Sequence, residues 1–240
     1  MFIYKLLKER LSPQQRQAVR KLFRRIVSPI PNQSLNVLAY KYGTDKRYHG
    51  YIPHYERYFE PLRKRALNVL EIGVGGYEDP YQGGESLRMW QEYFPCAMIY
   101  GIDIENKCPQ DDKRIKTFRG SQNDPNFLEW VAAQIGRIDL IIDDGSHISE
   151  HIITSFKTLF PHLVSGGIYV IEDLYYAYCP AYGGNDEDLN EPRTSIAMLK
   201  STIDGLHHKY IPNRPSDCFD QSIAAVHCYP KIAYIFKVNN

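Results

Sequence analysis

The sequence predicts an α/β protein with a mostly parallel sheet, helices on both faces and an antiparallel hairpin at the C-terminus. Three observations predict it. Short apolar strands alternate with helical periodicity from residue 67 to 171, which argues parallel pairing. The first strand runs into glycines, Gly73-Val74-Gly75-Gly76. Two later apolar runs, 138–142 and 168–171, end in carboxylates, Asp143-Asp144 and Glu172-Asp173.

In chain order, residues 67–72 read as the first strand, 85–94 as a helix, 98–104 as a strand carrying Asp103 at its end, and 116–119 as a short strand. Asp124-Pro125 opens a helix that stops at Gly136, since Asp suits the N-cap and Pro the first helical position. Residues 138–142 form a strand. Residues 150–163 form a helix, with Ile152, Ile153, Phe156, Leu159, Phe160 and Leu163 on one side, and 168–171 a strand. One helix lies near 195–207. The runs 223–228 and 232–238, split by Tyr229-Pro230, read as a terminal hairpin, giving the sheet a mixed edge. Upstream, His49, Tyr51, His54, Tyr55, Tyr58 and Phe59 mark a short helix with an aromatic face that ends near Pro61.

The chain divides into a basic segment, 1–31, and one large domain, 32–240. Residues 1–30 hold eight Lys or Arg against a single acid, Glu9. Val19, Leu22, Phe23, Ile26 and Val27 recur at helical spacing, so the segment reads as a basic amphipathic helix. It is expected to dock on its own domain or on a second subunit, or to lie on an anionic membrane surface. With 240 residues and a formal net charge of +1, the chain is not built for nucleic acid. The five cysteines form no C-x-x-C pair, so neither a disulfide framework nor a zinc site is indicated and a reducing, cytoplasmic setting is expected. No apolar run is long enough to span a bilayer.

A buried strand should not end in charge without a reason, because unpaired buried charge is costly. If the two acid-ended strands lie side by side, Asp144, Glu172 and Asp173 meet at one sheet edge with His147 beside them. Three oxygen ligands suit Mg²⁺, and an imidazole next to the ion suits a general base. His151 is the alternative base. The competing reading of the acids is a salt-bridge cluster capping the sheet. The remaining histidines, His49 included, are assigned packing or surface roles. Glycines after a first strand let a backbone approach a ligand closely. Asp103 either accepts from ribose hydroxyls or caps its own turn. Glu71 receives a donor from a ligand or holds a loop amide. Lys46 neutralises a ligand carboxylate or forms a structural ion pair. Tyr175, Tyr176, Tyr178 and Tyr182 follow the acids directly and read as a lid or as a buried aromatic wall.

Glu71-Ile72-Gly73-x-Gly75 with Asp103 resembles class I methyltransferases that use S-adenosylmethionine (SAM), whose Rossmann-like sheet ends in the same hairpin. Tyr42-Gly43-Thr44-Asp45-Lys46, Asp144-Gly145-Ser146-His147 and Ile171-Glu172-Asp173 further resemble the catalytic domain of the mycinamicin and tylosin macrolide sugar O-methyltransferases. The resemblance covers about 35–238 and implies several roles. Asp144, Glu172 and Asp173 would bind Mg²⁺, with Asp144 at the catalytic centre and His147 as base. Glu71, Gly73, Gly75 and Asp103 would contact SAM, and Ser121, Gln122 and Asp124 would approach its adenine. Asp143 and Lys46 are also placed among the SAM-binding residues. The expected acceptor is a glycosylated or polyhydroxylated small molecule, and the expected assembly a homo-oligomer. The macrolide enzymes carry a large N-terminal domain where this chain has only its basic segment, which leaves oligomer and substrate open. A catechol-type O-methyltransferase and a non-enzymatic assembly subunit are the rival classes.

Overall fold

The computed structural model describes Gln15, residues 33–213 and residues 217–238. The expected basic helix of 1–31 lies outside these apart from Gln15. The helices are α1 (Leu35–Tyr42), α2 (Ile52–Phe59), α3 (Glu85–Tyr93), α4 (Pro125–Ile135), α5 (Ser149–Leu159), α6 (Ser195–Leu206) and α7 (Cys218–Ser222). The strands are β1 (Asn68–Ile72), β2 (Met98–Asp103), β3 (Ile115–Arg119), β4 (Ile138–Asp143), β5 (Leu163–Ile171), β6 (Ile223–Tyr229) and β7 (Ile232–Lys237).

The strands form one sheet in the order β3-β2-β1-β4-β5-β7-β6. The first five run parallel, while β7 is antiparallel to both β5 and β6. This is the mixed sheet expected from the sequence. Alternation along each strand sends side chains to opposite faces. Val69, Leu140, Ile142 and Val170 pack with Leu38, Tyr55, Phe59 and Trp90 beneath α1–α3. Leu70, Ile141, Tyr169 and Ile171 pack with Val131, Phe156 and Leu199 beneath α4–α6. A fully buried Leu or Ile contributes about 1.5–3 kcal/mol, so two covered faces give β4 its central, wholly buried place.

Local signals set the boundaries. Asp124 accepts from the amides of Asn126 and Phe127 and so caps α4. Ser34 caps α1, a helix the sequence reading did not mark. Helix α5 ends at Leu159, short of the expected 163. The apolar spacing continues through Phe160, but Pro161 belongs to a 3₁₀ turn, Phe160–His162, and Leu163 already starts β5. Strand β5 is correspondingly longer than the expected 168–171.

Because β4 and β5 are adjacent with Asp143 opposite Ile171, the acids that follow each strand emerge side by side. Strand β1 lies on the other side of β4, with Ile72 opposite Asp143. The glycine loop, the Asp144 loop and the Glu172-Asp173 pair therefore share the C-terminal edge of the sheet, where open α/β sheets bind ligands.

Candidate active site

Gly73 joins the glycine loop to the acid loop. It has φ +93°, and a Cβ there would stand 2.0 Å from the Asp144 carbonyl oxygen. Only glycine lets the two backbones cross so closely. Gly75, also left-handed at φ +77°, faces open space, with nothing within 4 Å of its ideal Cβ. Asp103 holds this loop from the end of β2. Its Oδ2 accepts from the amides of Val74 at 3.0 Å and Gly75 at 3.2 Å, and its Oδ1 accepts from Glu105 N–H at 2.9 Å. The outer part of the loop is pinned by the buried Lys107, whose ammonium donates to the carbonyls of Tyr77 and Asp79.

Lys46 is the electrostatic centre. It is 1% exposed, and its Nζ lies 2.6 Å from Glu172 Oε1, 2.7 Å from Asp144 Oδ2 and 3.0 Å from Glu71 Oε1. Of its two expected roles, the ion pair is the one displayed. Burial opposes the charged ammonium, but the three carboxylates outweigh it and hold the pKa well above its ordinary value. Glu71 is fully buried and also accepts from Trp90 Nε1 at 3.1 Å. Its charge is thus met by the protein's own donors. Burial pushes the Glu71 carboxyl up, against the pull of Lys46. Burial and the Asp144 charge push Glu172 up further.

Asp144, His147 and Asp173 each offer one ligand atom, all within 4.8 Å of one another. His147 Nε2 lies 3.7 Å from Asp173 Oδ2. Glu172 adjoins this group with its Oε1 turned to Lys46 and Tyr55. His147 (φ +60°) and Asp173 (φ +52°) are both left-handed, an uncommon conformation for non-glycine residues that concentrates at functional sites. The His147 ring stacks on Tyr176, with centroids 5.2 Å apart and planes at 10°. Tyr176 packs in turn against Tyr175 and Tyr182, with ring planes tilted by 31° and 35°, while Tyr175 and Tyr178 are exposed. His151 is engaged elsewhere, its Nδ1 2.8 Å from Ser146 Oγ.

The remaining expected residues shape the adjoining wall. Asp143 is buried and accepts from Gln122 Nε2, Tyr169 OH and Ser155 Oγ. Gln122 Oε1 accepts from the Ser146 amide at 2.7 Å, so Gln122 ties the 121–124 loop to the Asp144 loop. Ser121 Oγ accepts from Asn123 N–H. The sequence reading gave His49 no place here, yet its Nδ1 is 3.5 Å from Asp173 Oδ1. It also missed the hydroxyls of Tyr51 and Tyr55, which donate to Asp173 and Glu172. The aromatic face of α2 was visible in the sequence, but the partners of those hydroxyls lie far along the chain.

No family model matches the sequence. The 8-demethyl-8-alpha-L-rhamnosyl tetracenomycin-C 2'-O-methyltransferase of Streptomyces olivaceus is 46% identical over 207 residues, covering 85% of this chain and 54% of that protein. Mycinamicin VI 2''-O-methyltransferase of Micromonospora griseorubida is 45% identical over 211 residues, covering 86% of this chain and 53% of that protein. The chain belongs to the macrolide and glycoside sugar O-methyltransferase family. The solved structure of the family member MycE with Mg, SAH and mycinamycin VI superposes with a TM-score of 0.83 at 45% identity, covering 87% of this chain and 54% of that one. The methyltransferase sheet is common to both, and this chain spans about half the length of the family members it matches.

Proposed function

We propose that this chain is a Mg²⁺-dependent O-methyltransferase that moves the methyl group of SAM to a sugar hydroxyl of a glycosylated or polyhydroxylated acceptor. The observation that carries this reading is the convergence of Asp144, His147 and Asp173 at the sheet edge, against the Gly73–Gly75 loop. The relatives' names supply the acceptor class, as rhamnosyl and mycinamicin sugars are methylated by those proteins.

The donor set fits a divalent cation. Three carboxylates, Glu71, Asp144 and Glu172, surround one buried ammonium and Asp173 stands beside Asp144 and His147, and hard oxygen donors with one imidazole nearby suit Mg²⁺. Asp144, Asp173 and Glu172 would hold it. When bound, Mg²⁺ would lower the pKa of an acceptor hydroxyl and SAM would supply an electrophilic methyl on its sulfonium. His147 would accept the hydroxyl proton at Nε2 as the methyl leaves SAM for the acceptor oxygen. Stacking on Tyr176 keeps the imidazole plane fixed during that transfer. The open face at Gly75 gives SAM its approach, and Asp103 sets the loop and offers its carboxylate to the ribose. Ser121, Gln122 and Asp124 form the wall on the adenine side. Tyr175 and Tyr178 offer rings to the apolar face of a sugar and hydroxyls to its rim.

Residues 1–31 are read as a docking element for a second subunit, with contact to an anionic membrane surface as the alternative, and 32–240 as the methyltransferase domain. Among the described residues no helix is long and apolar enough to cross a membrane. The described cysteines are all free, which suits the cytoplasmic setting proposed for the reaction.

The test is a competition for labelled methyl from SAM among a glycoside with a free vicinal diol, its monodeoxy analogue and a catechol. The diol should win, and removing one hydroxyl should lower kcat/KM by more than about tenfold, because a site built around both oxygens is left unpaired. A preference for the catechol would move the chain to the catechol-type reading. No transfer to any acceptor would favour an assembly role.

A further inference from the structure

Tyr51 and Tyr55 stand at the start of α2 and one turn into it, four residues apart and therefore on one face. Both are buried, at 1% and 0% exposure. Their hydroxyls reach the same place in the fold, the two acids that follow β5. Consecutive side chains leaving a strand point to opposite sides, so Glu172 and Asp173 would not by default serve one site. Asp173 escapes that alternation by turning left-handed, at φ +52° and ψ +34°.

One hydroxyl meets both halves of Asp173. Tyr51 OH donates to the Asp173 carboxylate at Oδ1 and accepts from the Asp173 amide at 3.3 Å. The carboxylate and the backbone conformation that aims it are thus held by the same atom. With Oδ1 taken by Tyr51 and approached by His49 at 3.5 Å, Oδ2 is the oxygen left facing His147. His49 also stacks on the Tyr51 ring, with centroids 5.4 Å apart. Tyr55 OH donates to Glu172 Oε1, the oxygen that Lys46 also holds. Its ring is wedged edge-on against Trp90 and Tyr234, which fixes where its hydroxyl points.

We infer that Tyr51 and Tyr55 form a two-hydroxyl clamp that orients the neighbouring carboxylates of Asp173 and Glu172 toward a shared cation, with Tyr51 deciding which Asp173 oxygen is presented. The inference rests on the metal reading proposed above. Both tyrosines are positioning residues: they touch the ligands and not the cation. Hydrogen-bond partners behind metal ligands carry much of a site's affinity, commonly about 10–100-fold. If the clamp were only a way of satisfying two buried hydroxyls, deleting one would change thermal stability and leave cation affinity alone.

The experiment titrates Mn²⁺ into the full chain and follows the free-ion signal by electron paramagnetic resonance. It uses wild type, Tyr51→Phe, Tyr55→Phe and Asp173→Asn. SAH calorimetry and thermal melting on each variant report the cofactor loop and the fold. Phenylalanine keeps each ring in its packing and removes only the hydroxyl. Tyr51→Phe should weaken Mn²⁺ binding by about tenfold or more while SAH affinity holds, and Tyr55→Phe should do the same through Glu172. Mn²⁺ affinity within about twofold of wild type in a folded Tyr51→Phe protein overturns the clamp while leaving the metal reading intact. Should Tyr51→Phe not fold, the same criterion applied to Tyr55→Phe decides. A wild-type chain that binds no Mn²⁺ overturns the clamp together with the metal reading.

Discussion

Replacing Lys46 with methionine removes the ammonium that three carboxylates share, two of them buried, while keeping an unbranched side chain as far as Cε. Lys46 Nζ lies 2.6–3.0 Å from Glu172, Asp144 and Glu71, and Glu71 and Glu172 are 0% and 2% exposed. Deleting one partner of a buried pair costs about 3–5 kcal/mol, because it leaves a charge with neither water nor counter-ion. For a chain of this size that corresponds to a fall in Tm of about 6–20 °C. The loss should depend on pH. Burial already raises the Glu71 carboxyl above its ordinary value, and Lys46 is the largest influence pulling it back, with a smaller one from Ser86. Without Lys46 its folded pKa rises further above the unfolded one. A group raised in this way favours the fold below its unfolded pKa, and that contribution is lost as pH rises through the folded pKa. The deficit of Lys46→Met should therefore be smallest near pH 4–5 and grow toward neutrality, as read by calorimetric melting across that range. A Tm within about 2 °C of wild type at pH 7 would refute the reasoning, since it would mean that water or another cation already balances the carboxylates.

Asp103→Ala should weaken SAH binding by roughly 1.5–3 kcal/mol through lost charge-assisted hydrogen bonds, and unchanged calorimetric affinity would count against its assignment. His147→Ala should slow single-turnover methyl transfer by about 10²–10⁴-fold while Mn²⁺ still binds; loss of Mn²⁺ binding would instead make His147 a ligand. Gly73→Ala should disrupt both SAH and Mn²⁺ binding, because its Cβ would stand 2.0 Å from the Asp144 carbonyl oxygen. Gly75→Ala meets no neighbour, so its cost should be only the left-handed backbone, about 1–2 kcal/mol in a melt.

The sheet was legible because each strand declares itself locally. Val69-Leu70 and Leu140-Ile141-Ile142 are apolar on both faces, as central parallel strands must be. The side-by-side exit of Asp144 and Asp173 followed from placing β4 beside β5. Glu71 was read as receiving a ligand's donor or holding a loop amide, and its partners were not foreseen, since Lys46 and Trp90 approach from separate helical segments and no local period encodes that meeting. The same reason hid the partners of the Tyr51 and Tyr55 hydroxyls, whose rings read only as the aromatic face of a short helix. Helix α5 was overrun because Phe160 and Leu163 prolong its apolar stripe past Pro161, where the chain has already left the helix.

The central claim is that the acids at the sheet edge hold a cation on which methyl transfer depends. The most direct measurement follows labelled methyl from SAM into a vicinal-diol glycoside with the full chain, first in excess EDTA and then with Mg²⁺ restored, alongside SAH calorimetry in both conditions. The account predicts turnover abolished by EDTA and recovered with Mg²⁺, with SAH affinity largely unchanged. Full turnover in excess EDTA would contradict it.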